Sequence, residues 1–342
     1  MSRSSSFNPD RAAGMELADE ALNDALEQGL EQVEELLHRE VQSDFRFLTE
    51  TSLHLIDAGG KRFRPLFTLL SAQFGLAKGA GRLEDVVRAA AVVELIHLAT
   101  LYHDDVMDEA TMRRGAASAN ARWDNTVAIL SGDFLFAHAS RLVADLGPDA
   151  VRIIARTFAK LVTGQMRETL GPGEGDDPVE HYLTVVAEKT GSLIATAGRY
   201  GGMFSGAEQE QIDALRRFGE GIGTAFQISD DIIDIATPAT ESGKTPGTDL
   251  REGVRTLPML YALAEPGSDT DRLRELLAVP LTDDALVTEA LELLRASPGL
   301  DRAVQTLRSH TDAARAELAV LPASPARDAL ASVTDYLEAR TT

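Results

Sequence analysis

Two carboxylate clusters with the same spacing constrain this chain more than any other feature. Asp104, Asp105 and Asp108 form a D-D-x-x-D pattern in LYHDDVMDEATMRRG, from Leu101 to Gly115, and Asp230, Asp231 and Asp234 repeat it in QISDDIID. Both clusters lie inside apolar segments of the chain. On a helix, residues four apart stack one turn above each other, so Asp104 and Asp108 share a face and Asp105 lies about 100° round from Asp104. Carboxylates this close repel unless a positive charge sits among them. Hard cations with oxygen ligands, Mg²⁺ above all, meet that need and bring substrate phosphates with them. A solvated acidic face would account for one such cluster. Its repetition in a second apolar segment argues against that account.

The chain is acidic, with 33 Lys and Arg against 54 Asp and Glu and a net charge of −21. Nucleic acid and anionic membrane are therefore poor general partners. A local group of basic residues is correspondingly informative. There is no cysteine, which excludes disulfides and thiolate-bound metals and fits a reducing, cytoplasmic location. The first 14 residues are small and polar and read as a tail without the apolar core of a signal peptide. No uncharged apolar run reaches the roughly 18 residues of a membrane span.

From Met15 to about Ser43 apolar residues recur at helical steps, and Phe45 to Ile56 reads as a second helix. Gly59-Gly60-Lys61-Arg62-Phe63-Arg64-Pro65 then breaks the pattern. Paired glycines let the backbone turn sharply, three cations follow within four residues, and Pro65 suits the first turn of the next helix. Alone, this stretch reads as a basic loop joining helices. No proline occurs between Pro65 and Pro148 or between Pro178 and Pro238. Both windows are rich in Ala, Leu, Val and Ile at helical spacing, and hairpin signals are scarce, so the expected fold class is all-α. No composition shift marks a second domain, and a single domain is expected over 15–342.

His97 precedes Asp104 by two helical turns and could donate to an anion. A helix break is expected at Asn120 to Asn125. Asp133, inside the apolar VAILSGDFLFAHAS, has no evident packing role. Lys189-Thr190-Gly191 lies in an apolar helix, where a lysine needs an anionic partner or must extend to water. Phe226-Gln227 stands just before the second acidic cluster. Ser242-Gly243-Lys244-Thr245 imitates the end of a P-loop. Pro238 stands where that pattern needs glycine and no strand precedes it, so it reads instead as a loop presenting Lys244. The inventory is six carboxylates in two matched sets plus Lys61, Arg64, His97, Arg113, Arg114, Lys189 and Lys244. It suits two anionic groups, and the chemistry resembles ionisation of a diphosphate ester with metal-stabilised departure.

GGKRFRP, D-D-x-x-D with R-R-G, K-T-G, and F-Q-x-x-D-D-x-x-D follow one another from Gly59 toward Gly253. In this order they resemble the trans-isoprenyl diphosphate synthases, the polyprenyl synthetase family. The resemblance implies an all-α bundle of the isoprenoid synthase type with a central cavity, acting as a homodimer. It also implies Mg²⁺-dependent head-to-tail condensation of isopentenyl diphosphate onto an allylic diphosphate primer. By the same resemblance Asp104, Asp105, Asp108, Asp230, Asp231 and Asp234 form the metal-binding set. Arg113, Lys189 and Lys244 would contact the allylic diphosphate. Lys61, Arg64, His97 and Arg114 would hold isopentenyl diphosphate. Thr190 and Gln227 would line the reacting carbons. The family often reads D-L-x-E-G-K after the second cluster, whereas here Gly253 is followed by Val254 and Arg255, leaving open whether Arg255 replaces that cation.

In this family an aromatic residue one turn before the first acidic cluster resembles short-chain enzymes. Ala99 and Thr100 are small, which resembles medium- or long-chain synthases, heptaprenyl to decaprenyl in type, serving a quinone side chain. The alternatives are a geranylgeranyl or farnesyl diphosphate synthase, a terpene cyclase of the same fold, or a non-catalytic partner subunit. Cyclases typically carry Ser and Glu in the second cluster, and partner subunits tend to lose an acidic cluster. Neither holds here. An apolar product also implies transient membrane contact during release.

Overall fold

The computed structural model describes residues 19–236 and 246–341. The expected tail and Lys244 lie outside the described residues. Helix α1 (Glu20–Glu40) starts at Asp19, whose side chain accepts from the Leu22 N–H at 2.8 Å. Its buried face, Leu22, Leu26, Leu30, Val33 and Leu37, follows the three- and four-residue steps of an amphipathic helix. Helix α2 (Arg46–Asp57) leads into the glycine pair, and α3 (Phe63–Leu76) carries Pro65 in its first turn.

Helix α4 (Leu83–Met107) is apolar almost all round and is the core helix of its unit, with Val86 through Ile96 largely inaccessible to solvent. The chain leaves this helix at Asp108, and the break expected at Asn120 to Asn125 separates two later helices, Ala119–Arg122 and Asn125–Ala144. Strands β1 (Met112–Arg113) and β2 (Ala116–Ala117) pair antiparallel with Met112 opposite Ala117. The turn between them puts Arg114 at φ 53° and Gly115 at φ 77°, the two positive values of a tight hairpin. The hairpin went unread in the sequence because R-R-G-A offers one glycine and no alternating flanks.

The chain continues through α5 (Ala119–Arg122), α6 (Asn125–Ala144) and α7 (Pro148–Leu170). Helix α8 (Pro178–Val186) is capped by Asp177, widens into a π-turn at Ala187–Gly191 and continues as α9 (Ser192–Ser205). Helix α10 (Gln209–Ala236) carries the second acidic cluster. The remaining chain forms α11 (Thr248–Glu252), α12 (Leu257–Ala264), α13 (Ser268–Leu276), α14 (Asp284–Ala296), α15 (Pro298–Glu317) and α16 (Pro325–Ala339). Beyond the short hairpin no strand occurs among the described residues.

The chain divides into two compact units. The first contains 19–159, 193–219 and 317–333, and the second 160–192, 220–236, 246–316 and 334–341. In the first, Phe67 stacks on Phe63 and tilts against Phe218, with ring centroids 6.0 and 5.8 Å apart. A Cβ at Gly198 or Gly219 would come within 2.9 Å of the Phe67 ring, so glycine permits that close packing. The second unit closes around Ile235, Leu250, Met259, Leu273, Ala290 and Leu294. Helices α4 and α6 are long and apolar enough to cross a membrane by length and composition, but 78% of the apolar window of α4 is buried within the protein. That is how the core helix of a globular protein reads.

Candidate active site

The first unit gathers the basic residues around one buried acid. Arg62 opens α3 in the left-handed region at φ 48°. Its guanidinium is buried, pairing with Glu34 and, at 3.0 Å, with Glu94, and donating to the carbonyls of Ile56 and Gly59. Arg62 is thus the strut that shapes the glycine turn. Arg114 donates to the Leu55 carbonyl at 2.9 Å and to the Gly59 carbonyl, and lies 3.8 Å from Glu94. A Cβ on Gly60 would fall 2.7 Å from the Arg114 guanidinium carbon, so this position has to lack a side chain.

Burial lowers the pKa of Arg64 to about 10, with Glu94 opposing and Arg114 adding to the shift. Its Nε is buried without a hydrogen-bond partner. Burial also holds the His97 imidazole well below its ordinary range, and the charges of Arg64, Arg114, Arg62 and Arg113 push the same way. His97 is therefore neutral at pH 7. Arg64, His97 and Arg114 lie close enough to act on one another electrostatically, and Lys61 stands exposed in the same turn. Glu94, 1% exposed, is the one carboxylate facing three arginines here, and sequence reasoning missed its role. The available signal was an acid set between the apolar runs Ala89–Val93 and Leu95–Ile96 of that helix.

The first acidic cluster ends α4. Asp104 is half-buried, Asp105 fully buried, and Asp108 is the exposed C-cap. Arg113 Nε donates to Asp105 Oδ1 at 2.5 Å, while Asp105 Oδ2 is buried with no partner. Burial raises the Asp105 pKa, with Arg113 opposing. The hairpin explains why neighbouring arginines do different work, since Arg113 ends the first strand and Arg114 is already in the left-handed turn. Arg113 turns to Asp105 and Arg114 to the glycine turn. Asp133 also finds its reason, 3.4 Å from the ring of His103. Ala99 and Thr100 are both buried, at 1% and 8% exposure.

In the second unit each acid of the second cluster has a different partner. Asp230 accepts from Arg340, near the C-terminus, and Arg340 also lies 5.2 Å from the Phe226 ring centroid. Asp231, 4% exposed, accepts from Tyr182 on one oxygen and from Gln227 Nε2 at 2.9 Å on the other. Asp234 accepts the backbone N–H groups of Thr248 and Asp249 at 3.1 and 3.2 Å, anchoring α11. Asp249 joins this group unforeseen. Burial, then the charges of Asp231, Asp234, Glu252 and Asp230, raise its pKa to about 8. Burial raises Asp231 to about 7, with Tyr182 and Gln227 opposing.

Lys189 and Thr190 lie in the π-turn, an irregularity frequent at functional sites. Lys189 pairs with Glu168, a partner not foreseen in the sequence. The turn sits against Gly164, where a Cβ would fall 2.7 Å from the Lys189 backbone nitrogen. Arg255 is exposed and donates to the Leu277 carbonyl at 3.2 Å.

The polyprenyl synthetase family model matches residues 45–294. The chain belongs to the polyprenyl synthetase family. It is 60% identical over 328 residues to nonaprenyl diphosphate synthase of Mycobacterium tuberculosis, covering 96% of this chain and 97% of that protein. It is 48% identical over 320 residues to dimethylallyltranstransferase of the same organism, covering 94% of this chain and 96% of the relative. Among solved structures it is similar to geranylgeranyl pyrophosphate synthase from Corynebacterium glutamicum, complexed with calcium and isoprenyl diphosphate. The TM-score is 0.86 and the identity 52%, over 95% of this chain and 99% of that one. As a polyprenyl synthetase the chain has the all-α isoprenoid synthase fold expected from its sequence.

The donor set of this polyprenyl synthetase fits a divalent metal. Every candidate ligand is a carboxylate, and the buried, unpartnered Asp105 Oδ2 is the kind of oxygen a hard cation takes up. Among the described residues no three His, Asp or Glu side chains are drawn together closely enough to hold an ion.

Proposed function

We propose that this polyprenyl synthetase is an all-trans polyprenyl diphosphate synthase of the medium- or long-chain type, heptaprenyl to decaprenyl, supplying a quinone side chain from the cytoplasm. As a prenyltransferase it would join isopentenyl diphosphate head-to-tail to an allylic diphosphate. The observation that carries the reading is the pairing, within one unit, of a half-buried basic group with a carboxylate cluster. Arg64, neutral His97 and Arg114 suit one diphosphate bound by protein alone. Asp104, Asp105 and Asp108 suit a second, bound through metal.

Asp104, Asp105 and Asp108 in the first unit, and Asp230 and Asp234 in the second, are the residues that would hold Mg²⁺, which when bound would supply charge stabilisation to a departing diphosphate. Lys189 and Arg113 exchange their carboxylate partners for phosphate oxygens, and Lys244 joins them. Arg64, His97, Arg114 and Lys61 orient isopentenyl diphosphate, so that its double bond meets the allylic carbon in a near-attack arrangement. The side-chain carbonyl oxygen of Gln227 and the hydroxyl of Thr190 line the cation that forms.

Chain length rests on Ala99 and Thr100, whose small side chains leave room for a growing tail. Ala99→Phe should shorten the product, and an unchanged product distribution would sink this assignment. A geranylgeranyl diphosphate synthase is the second reading, favoured by the 52%-identical solved relative. The exposed apolar residues Ile129 and Leu130 on α6 support a homodimer, with a second copy covering them. Release of an apolar product would use transient membrane contact.

The test is incorporation of labelled isopentenyl diphosphate with Mg²⁺ and geranyl, farnesyl or geranylgeranyl diphosphate, followed by sizing of the products. A ladder ending well beyond twenty carbons is expected. A stop at fifteen or twenty would move the protein to the second reading. Diphosphate release without incorporation would point to a cyclase.

A further inference from the structure

We propose that Asp231 orients Gln227 instead of ligating metal, with Tyr182 as the positioning residue that holds Asp231 in place. The proposal rests on the condensation reading and refines one of its sites. Gln227 and Asp231 stand four residues apart on α10 and therefore share a face. Gln227 Nε2 donates to Asp231 Oδ1 at 2.9 Å. The other oxygen of Asp231 accepts the hydroxyl of Tyr182, which reaches it from α8. Both carboxylate oxygens thus already have donors, and the carboxylate is almost fully buried at 4% exposure.

This arrangement decides which way the Gln227 amide points. Nε2 is the Gln227 atom that faces Asp231 Oδ1, so the amide presents its NH₂ group to Asp231. Its carbonyl oxygen is then directed away from Asp231. An amide oxygen held in that direction is a fixed negative dipole end. Such a dipole stabilises a developing carbocation without reorganising during the reaction. Without Asp231 the amide can turn over and present N–H groups, which would oppose the same charge. Tyr182 restricts the carboxylate in turn, because a buried acid held from one side only is free to rotate. The two neighbouring acids differ visibly. Asp230 accepts from a cationic arginine, and Asp234 from two backbone N–H groups. Only Asp231 is tied to a neutral side chain on each oxygen.

The test uses the full-length chain and two independent readouts. The first is Mn²⁺ affinity, measured by electron paramagnetic resonance for wild type, Asp230→Asn and Asp231→Asn. Asp231→Asn should bind Mn²⁺ within about twofold of wild type, since it removes no ligand, whereas Asp230→Asn should weaken binding about tenfold or more. A loss with Asp231→Asn equal to that with Asp230→Asn would overturn the proposal. The second readout is condensation. Tyr182→Phe should lower kcat by about five- to thirtyfold, the loss of one buried hydrogen bond, with KM for both diphosphates unchanged. In a Gln227→Ala background the same change should cost nothing further, because both act through one amide. Equal, additive losses in the two backgrounds would also overturn it. Failure of the wild type to condense isopentenyl diphosphate would count against the proposed function, and the Mn²⁺ comparison would still decide the role of Asp231.

Discussion

Replacing Glu94 by glutamine should destabilise the protein while tightening its grip on diphosphate. The carboxylate is 1% exposed and lies 3.0 Å from Arg62 and 3.8 Å from Arg114. Glutamine keeps the shape and removes the charge. Breaking a buried pair from one side costs about 3–5 kcal/mol, because the partner charge stays buried. Arg62 keeps Glu34, whose side chain is 36% exposed, so the loss belongs at the low end, near 3 kcal/mol. Unfolding entropy is about 2 cal/mol/K per residue. Over 342 residues a loss of about 3 kcal/mol then lowers Tm by about 4 °C. The same substitution leaves Arg64 and Arg114 without their internal counter-charge. Inorganic pyrophosphate should therefore bind about tenfold more tightly, a gain of about 1.4 kcal/mol. Thermal melts and calorimetric titration at fixed ionic strength measure the two effects. A Tm within a degree of wild type, or weaker pyrophosphate binding, would refute the reasoning. The first outcome would mean that the acid is not the counter-charge of this cluster, and the second that it mainly positions the arginines.

Arg340→Gln removes the cation held by Asp230, so Mn²⁺ should bind several-fold more tightly before substrate is added; unchanged affinity would show that the contact does not compete with metal. The neutral, half-buried His97 predicts a pH dependence. Its folded pKa lies below the unfolded value of 6.5, so its contribution is intact above about pH 6.5 and lost as pH falls toward the folded pKa, where the unfolded chain takes up the proton first. Thermal melts between pH 5 and 7 should be less steep for His97→Gln than for wild type, and parallel curves would disprove the assignment.

The helical class was legible because apolar residues recur at three- and four-residue steps over long windows without proline. Helices α1 and α2 begin and end close to where those steps place them among the described residues. The identity of the chemical groups was legible too. Carboxylates at a spacing of one helical turn, and cations following paired glycines, are local patterns. Arg62 shows the limit of such reading. It stands among the same cations as Arg64 but is consumed by Glu34 and Glu94, partners 28 and 32 residues away in sequence.

The sequence by itself therefore determined the fold class, the family and the types of side chain available for the reaction. These depend on periodicity and on the order of short motifs. The tertiary structure decided which of these charges are spent on one another. Glu94 beneath the arginines, Glu168 on Lys189, Arg340 on Asp230, and Tyr182 with Gln227 on Asp231 are all pairings that no local spacing foretells, apart from the last glutamine. A pairing of buried charges depends on distance and desolvation, and both arise only when helices distant in sequence pack together.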